Sequence, residues 1–498
     1  MALSVLFFAV SCAAALAKPF WFDELLTVYY TRLPTLAAMT AALPTGPDLH
    51  PPLHYWVVHF CILLFGAGEL SLRMPSILAM GAGCAALYLV VRRRTPAAFA
   101  FLAAVLPLGT FAGAYAIEAR PYAFFFAFAA LAFLFWQRAA ESEENRGFAL
   151  FGLFLCFSGA ILSHCYSVTL WFAFALGELV RFRRRRRADP LLWTALLAPA
   201  LFAAWYYPAL IHQSHNVNTH SWASPTLYRL FMELFSTVNL ANQYLAIAVA
   251  LALALSSRRK QPEISFRRGF ASSIPAHEIA AAAGLAMLPF VDYVLAVTAT
   301  GLYDQRYAIP FVAGLGILAG FFLCGRADDR LWRGWAPAAM FVMIWLNGGI
   351  EWIQKPDWAG AAITRPYAEA LQSVDPQLPI VVSNPHLYLQ LLYYASPAQM
   401  ERTVSLSDLD ASLRYTADET MDIEMAALAR TVPVKHPRYR DFVPEHPRFL
   451  VYQPEGDDTP VWIPQQFKED HIAMEPSSTC AASRPPCTLL VAAADHFH

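Results

Sequence analysis

Charge is scarce in this sequence. Only 15% of its 498 residues are Asp, Glu, Lys or Arg, where soluble globular proteins carry about 25%, and the shortfall excludes an ordinary soluble protein. No basic residue precedes Lys18, so the positively charged start of a cleaved signal peptide is missing and the apolar run Ala2 to Ala17 is expected to stay as a first span. No Gly-rich phosphate loop, nucleophile elbow or internal repeat occurs, which leaves P-loop and serine-hydrolase chemistry without a motif. Cys12, Cys61, Cys84, Cys156, Cys165 and Cys324 fall in or beside apolar segments without metal-like spacing, and they read as small buried residues. A net charge of -1 without a basic face gives no footprint for nucleic acid.

Apolar length is what the sequence has in excess. Hydrophobic residues make up 57% of the chain and the mean hydropathy is +0.40, as expected of an α-helical polytopic membrane protein. Positive charge is clustered at Arg92 to Arg94, Arg138 with Arg146, Arg181 to Arg187, Arg258 to Lys260 with Arg267 and Arg268, and Arg326 to Arg333. The apolar stretches between successive clusters are each long enough for two crossings, so the positive-inside bias places every cluster in the cytoplasm.

With the clusters fixed, about eleven transmembrane helices are expected, near 1–17, 73–91, 96–114, 121–136, 148–163, 166–180, 190–208, 228–256, 276–300, 305–324 and 335–352. An odd number puts the N-terminus inside and everything after about residue 353 outside. The stretch His50 to Phe65 reads as an amphipathic helix on the outer surface, because a crossing there would reverse every later cluster.

The membrane part is thus 1–352, and 353–498 is expected to be a small extracytoplasmic α/β domain. Its expected strands are 378–384, 447–453 and 487–494, with helices near 359–373 and 386–395. Cys480 and Cys487 are the cysteines of this polar tail. An oxidising outer compartment would let them close a disulfide across a hairpin-like loop.

Chemistry gathers at the outer ends of spans. KPFWFDELLTVYY, Lys18 to Tyr30, sets Asp23 and Glu24 at the membrane surface just after the first span. Carboxylates there need water, a metal, a hydrogen-bond donor or a substrate. Asp48, His50 and His54 surround Pro51-Pro52; Glu118, Arg120 and Tyr122 precede one span, His164 and Tyr166 lie in another outer turn, and Tyr303, Asp304, Arg306 and Tyr307 precede a late span. Each group alone also fits an interfacial anchor. Their convergence on one face suits a site for an anionic amphiphile whose head group lies at the membrane surface.

Taken in order, FDELLTVYY, HPPLHYWVVH followed by ELSLRMPSIL, EARPYAF, LSHCY and DQRYAIPFV resemble the integral-membrane GT-C glycosyltransferases. The resemblance is to bacterial members similar to the dolichyl-phosphate-mannose protein mannosyltransferases of family 39 and to the aminoarabinose transferase of lipid A. It covers nearly all of the membrane part, and the tail looks like the extracytoplasmic domain that many bacterial members carry.

The resemblance implies an inverting transfer of a sugar from a polyprenyl-phosphate carrier to a lipid, glycan or protein acceptor, at the outer face of the cell inner (plasma) membrane. Asp23 matches the catalytic aspartate, with Glu24 beside it as orienting, acceptor-binding, sharing a divalent cation, or structural. Arg120 and Arg306 are the expected phosphate partners, with Tyr122, Tyr307, His54 and His164 as further substrate contacts. No cofactor is required by the resemblance; some members use a divalent metal, for which Asp48 and His50 are the candidate ligands. The alternative from another class is a transporter or flippase for a lipid-linked glycan, which calls for ionisable groups at span midpoints; Asp292 is one.

Overall fold

The structure is a computed structural model and describes residues 2–46, 48–141, 144–217, 222–238, 274–324, 331–355, 357–372, 374–454, 461–479 and 487–493. The chain forms two compact units. One consists of Met1–Ala15, His50–Ile211 and Pro225–Trp352; the other of Leu16–Leu49, His212–Ser224 and Ile353–His498.

The first unit is helical and apolar. Among the described residues five helices are long and apolar enough to cross a membrane: Glu69–Arg92, Tyr122–Glu141, Cys165–Arg185, Pro190–His212 and Trp332–Ile353. Three helix pairs raise this to as many as eight if each pair is one span, namely Ala2–Ala17 with Phe22–Thr31, Ala97–Gly109 with Phe111–Ile117, and Ala276–Ala286 with Leu288–Thr300. The architecture is that of a multi-pass membrane protein, and the count of eleven is not confirmed among the described residues.

Bends are part of the reason. The second pair turns by 73° and the third by 50°. Pro107 opens a 3-10 turn at Pro107–Gly109, and Pro289 sits in the first turn of Leu288–Leu295. Proline lacks the N–H that would carry the helix through, and hydropathy does not register the break. Arg146–Ile161 and Phe311–Cys324 are shorter apolar helices. Of the expected span at 228–256 the helix Leu227–Phe235 is described, and residues 239–256 lie outside the described residues. A helix forms at Leu53–Phe65, with Phe60, Leu63, Leu64 and Phe65 exposed.

Helices in this unit approach closely through small residues. A Cβ on Gly284 would lie 2.6 Å from Ala173 Cα, and one on Gly314 only 2.4 Å from Ala286 N. Backbones this near gain dispersion where burial of apolar surface gives no driving force, as in lipid.

Three of the arginine clusters pair with acidic residues, in two separate groups. Arg94 donates to Glu278 through Nε (3.0 Å) and Nη2 (2.5 Å), Gln137 donates to the same carboxylate (2.9 Å), and Arg93 and Arg94 both pair with Glu141. Arg181 pairs with Glu178 (3.0 Å) and Asp189 (2.9 Å); Arg146 also pairs with Asp189, and Trp136 donates to Glu178 (2.8 Å). Glu278 is fully buried. Removing one member of such a pair leaves an uncompensated buried charge, which costs about 3–5 kcal/mol. Glu278→Ala is therefore expected to lower the unfolding temperature of the detergent-solubilised protein; an unchanged melting curve would show that Glu141 alone compensates Arg94.

The second unit is built on a five-stranded mixed sheet in the order β2-β1-β3-β5-β4. Its strands are β1 Ile380–Val382, β2 Thr403–Val404, β3 Arg448–Pro454, β4 Ala473–Thr479 and β5 Cys487–Ala493. β1 runs parallel to β2 and β3, while β5 runs antiparallel to β3 and β4. Val381, Phe449, Val451, Tyr439 and Phe467 are buried in its core. The three expected strands are present. β2 and β4 were not foreseen: β2 has two residues, and β4 is an edge strand whose pairing shifts between Pro476 and Ser478, a position where proline is tolerated.

The expected Cys480–Cys487 pair lies outside the described residues, since 480–486 are not described. The segment Leu16–Leu49 contributes the helices Phe22–Thr31 and Leu36–Ala42, and the first of these packs on the helix Pro385–Tyr394.

Candidate functional site

In the first unit, four loops that are distant in sequence bring their polar residues together. The loop before Leu53–Phe65 is tied to the turn after Arg146–Ile161 by Leu53 N–H donating to Leu162 O (2.9 Å). That tie sets the His50 and His164 rings 5.0 Å apart. The His164 turn is braced by Tyr207, whose hydroxyl donates to Ile161 O and His164 O at 2.9 Å each. Arg120 lies in a tight turn, its N–H bonded to Glu118 O (2.8 Å) and its carbonyl accepting from Ser76 (3.3 Å). Pro121 follows and starts the helix Tyr122–Glu141. Asp304 caps the turn Gln305–Ala308 by accepting from Arg306 N–H (3.0 Å), and its Oδ1 lies 3.5 Å from Arg306 Nε.

Tyr122 is the hub. Its ring lies 5.7 Å from His50, 5.5 Å from His164 and 4.7 Å from Tyr115. The Arg120 guanidinium stands 5.9 Å and the Arg306 guanidinium 5.5 Å from its centre, and Arg306 also lies 5.8 Å from the Tyr307 ring. An aromatic face attracts a cation, but two guanidinium groups on one ring repel each other. An anion between them relieves that repulsion and can take charge-assisted hydrogen bonds from both.

His164 adds a neutral donor. It is 1% exposed and stacks on Phe125 with centroids 5.1 Å apart. Its Nδ1 accepts from Tyr166 N–H (3.2 Å), so in the neutral ring the proton sits on Nε2. That Nε2–H is buried without a hydrogen-bond partner among the described residues. Burial holds His50 and His164 well below the usual imidazole range, and the charges of Arg120 and Arg306 push the same way. The positive charge of the cluster therefore belongs to the arginines. His54 is fully buried, edge-on to Phe124 at 5.3 Å.

The helix Tyr122–Glu141 also places this cluster. It begins at Tyr122 and ends at Glu141, which pairs with Arg93. Twenty residues of helix rise about 30 Å, so the cluster and that pair lie a membrane core's thickness apart.

Asp23, Glu24 and Asp48 belong to the second unit. Glu24 is fully buried; its Oε2 accepts from Trp21 N–H at 3.4 Å and lies 4.0 Å from Lys18 Nζ. It thereby caps the first turn of Phe22–Thr31. Asp23 is half-buried and Asp48 is 3% exposed. Among the described residues no group of three or more His, Cys, Asp and Glu side chains could hold a metal ion, and no cofactor is clearly implied for Asp48 or His50.

Residues 49–212 match the family model described as dolichyl-phosphate-mannose-protein mannosyltransferase. The whole chain superposes on the crystal structure of ArnT from Cupriavidus metallidurans in the apo state, with a TM-score of 0.56, 14% identity, and 98% of each chain covered. The chain shares the fold of that ArnT structure. A second structure of the same ArnT, described as bound to undecaprenyl phosphate, matches with a TM-score of 0.56 and 14% identity over 98% of this chain and 97% of that one. An oligosaccharyltransferase from Archaeoglobus fulgidus, in complex with zinc and sulfate, gives a TM-score of 0.43. No curated protein matches the sequence.

The expected residues His50, Arg120, Tyr122, His164, Arg306 and Tyr307 do come together. Tyr115 and Phe125 were not foreseen. Phe125 follows Tyr122 by three residues on one helix, which puts it on the same face, and that spacing was the signal available. Nothing in the sequence marks Tyr207 as the brace of the His164 turn.

Proposed function

We propose that the chain is an inverting glycosyltransferase that moves a sugar from a polyprenyl-phosphate carrier to an acceptor on the extracytoplasmic face of the inner (plasma) membrane. Residues 353–498 form the extracytoplasmic domain of this reading. The shared fold and the ArnT structure described as bound to undecaprenyl phosphate support a lipid-phosphate donor. The observation that carries the assignment is the pair of guanidinium groups over Tyr122 beside the buried His164 Nε2–H. Both features call for an oxyanion.

In this scheme the acceptor hydroxyl oxygen attacks the anomeric carbon from the face opposite the phosphate. The carbon–oxygen bond to phosphate breaks, and the carrier leaves as its phosphate monoester. Asp23 takes the hydroxyl proton as general base. Arg120, Arg306 and His164 hold the phosphate as its charge grows, a stabilisation greater in the transition state than in the ground state. Tyr122 and Tyr307 shape the pocket, and His54 supports the wall beside it.

The assignment is tested by mass spectrometry of envelope glycolipids and glycoproteins with and without the protein. Loss of one sugar together with build-up of its polyprenyl-phosphate form is the expected result; an unchanged envelope would overturn the reading. Affinity should also be flat with pH. A polyprenyl-phosphate sugar is a diester with one fixed charge, and His50 and His164 stay neutral because burial lowers them. Carrier-diester affinity is therefore expected to change little between pH 8 and 6, whereas a strong rise on acidification would mean that an imidazole gains charge beside the phosphate. Stability runs with the depressed imidazoles: it is fully present above the unfolded value of about 6.5 and is lost as pH falls towards their folded values, since only the unfolded chain takes up those protons.

A lipid-linked-glycan transporter is the second reading, favoured by fully buried Asp292 in Leu288–Leu295, just before the π-helical turn Ala296–Thr300. It requires Asp292→Asn to stop lipid flux while sugar transfer persists.

A further inference from the structure

Within the second unit, the peptide of Phe20 is gripped at both of its polar ends by one helix. Phe20 N–H donates to the Tyr394 hydroxyl (2.9 Å), and Gln390 Nε2 donates to Phe20 O (2.8 Å). Residues 390 and 394 are one turn apart on Pro385–Tyr394, so a single helix face supplies both contacts. The same face holds the neighbouring side chains. The Phe20 ring is fully buried, with centroids 5.4 Å from Tyr393 and 6.3 Å from Tyr394, and Phe22 lies 4.4 Å from His386. Ala359 N–H donates to Ala17 O (2.8 Å), and Arg32 stands 5.0 Å over Tyr393 at the far end of Phe22–Thr31.

The consequence falls on Asp23. Trp21 is the N-cap of Phe22–Thr31 and Asp23 lies in its first turn. A helix start has few bonds of its own, since its first N–H groups lack intrahelical partners. The position of this start therefore depends on what holds the chain just before it, and the bonds to the Phe20 backbone are part of that hold. The helix doing the holding begins where Asn384 caps it, accepting from His386 N–H (2.8 Å), directly after the buried strand β1. The contact therefore runs from the sheet of the tail domain to the first turn that carries Asp23.

We propose that Gln390 and Tyr394 are positioning residues for transfer, fixing Asp23 through the backbone of Phe20. This rests on the reading of Asp23 as the general base. It makes the tail domain part of the reacting apparatus rather than an appendage, because displacement of a base by about 1 Å can cost roughly 100-fold in rate.

The test uses purified full-length protein, with the donor and acceptor identified by the envelope comparison, and undecaprenyl phosphate as the probe of carrier binding. Gln390→Leu and Tyr394→Phe are expected to lower kcat by about 10- to 100-fold, with donor KM and undecaprenyl phosphate affinity unchanged within about twofold. The pH profile of the remaining activity should keep its shape, since the same base acts from a worse position. Gln390→Glu, which sets an acceptor against the Phe20 carbonyl, should be at least as impaired as Gln390→Leu. Full kcat in both Gln390→Leu and Tyr394→Phe would overturn the proposal, as would losses that follow melting temperature alone. If Gln390→Leu fails to fold, Tyr394→Phe decides, because it removes one oxygen and keeps the ring. Asp23→Asn is measured alongside. An active Asp23→Asn protein defeats the base assignment itself, whereas an inactive one with normal Gln390→Leu and Tyr394→Phe variants defeats the positioning role alone.

Discussion

Purified Asp23→Asn protein is expected to lose transfer by about 10²- to 10⁴-fold, the span that general-base catalysis supplies, while undecaprenyl phosphate affinity and melting temperature stay unchanged. Asparagine keeps the volume of the side chain and removes the proton acceptor. Asp23 is half-buried rather than part of the core. Glu24 provides the control. It is fully buried and caps the helix start through Trp21 N–H, so Glu24→Ala should lower the melting temperature, which Asp23→Asn should not. Turnover of Asp23→Asn within tenfold of the parent would move the base elsewhere.

The second large effect is expected at Arg306. Arg306→Ala removes one of two guanidinium groups over Tyr122 and should weaken undecaprenyl phosphate binding by about 10- to 100-fold, the worth of a hydrogen bond to a charged group. Arg306→Lys keeps the charge but loses the two-pronged geometry, and should recover only part of that loss. The Arg306→Ala, Arg120→Ala double variant should lose less than the sum of the single losses if both arginines grip one phosphate, because groups that share a partner are not additive. Affinity unchanged in both Arg306→Ala and Arg306→Lys would shift the phosphate contact to Arg120.

The two substitutions draw on different kinds of legibility. Arg120, His164 and Arg306 could be found because each sits at the end of an apolar run, where charge is costly unless used. Their order along the chain matched a known pattern. Arg92 to Arg94, Arg146 and Arg181 were equally visible as clusters, and they pair with acidic residues in two groups. The bends at Pro107 and Pro289 were not legible, because composition alone reads those helices as continuous.

The difference between neighbours was also hidden. Asp23 and Glu24 are adjacent and chemically alike, yet one is half-buried and the other fully buried. Asp48 and His50, two residues apart and offered as joint metal ligands, fall in different compact units.

The sequence by itself determined the membrane class, the placement of the apolar helices, the tail strands at β1, β3 and β5, and the set of polar residues at span ends. These follow from local composition and from the cost of burying charge, which act within a few turns of chain. Tertiary structure alone decided that Tyr122 is the ring shared by Arg120 and Arg306, that His164 presents Nε2–H, and that the Phe20 backbone is bonded to Gln390 and Tyr394. Those last two residues lie 370 and 374 positions from Phe20. Hydrogen bonds and ring contacts are short-range in space and indifferent to separation along the chain, so only the folded arrangement brings their partners together.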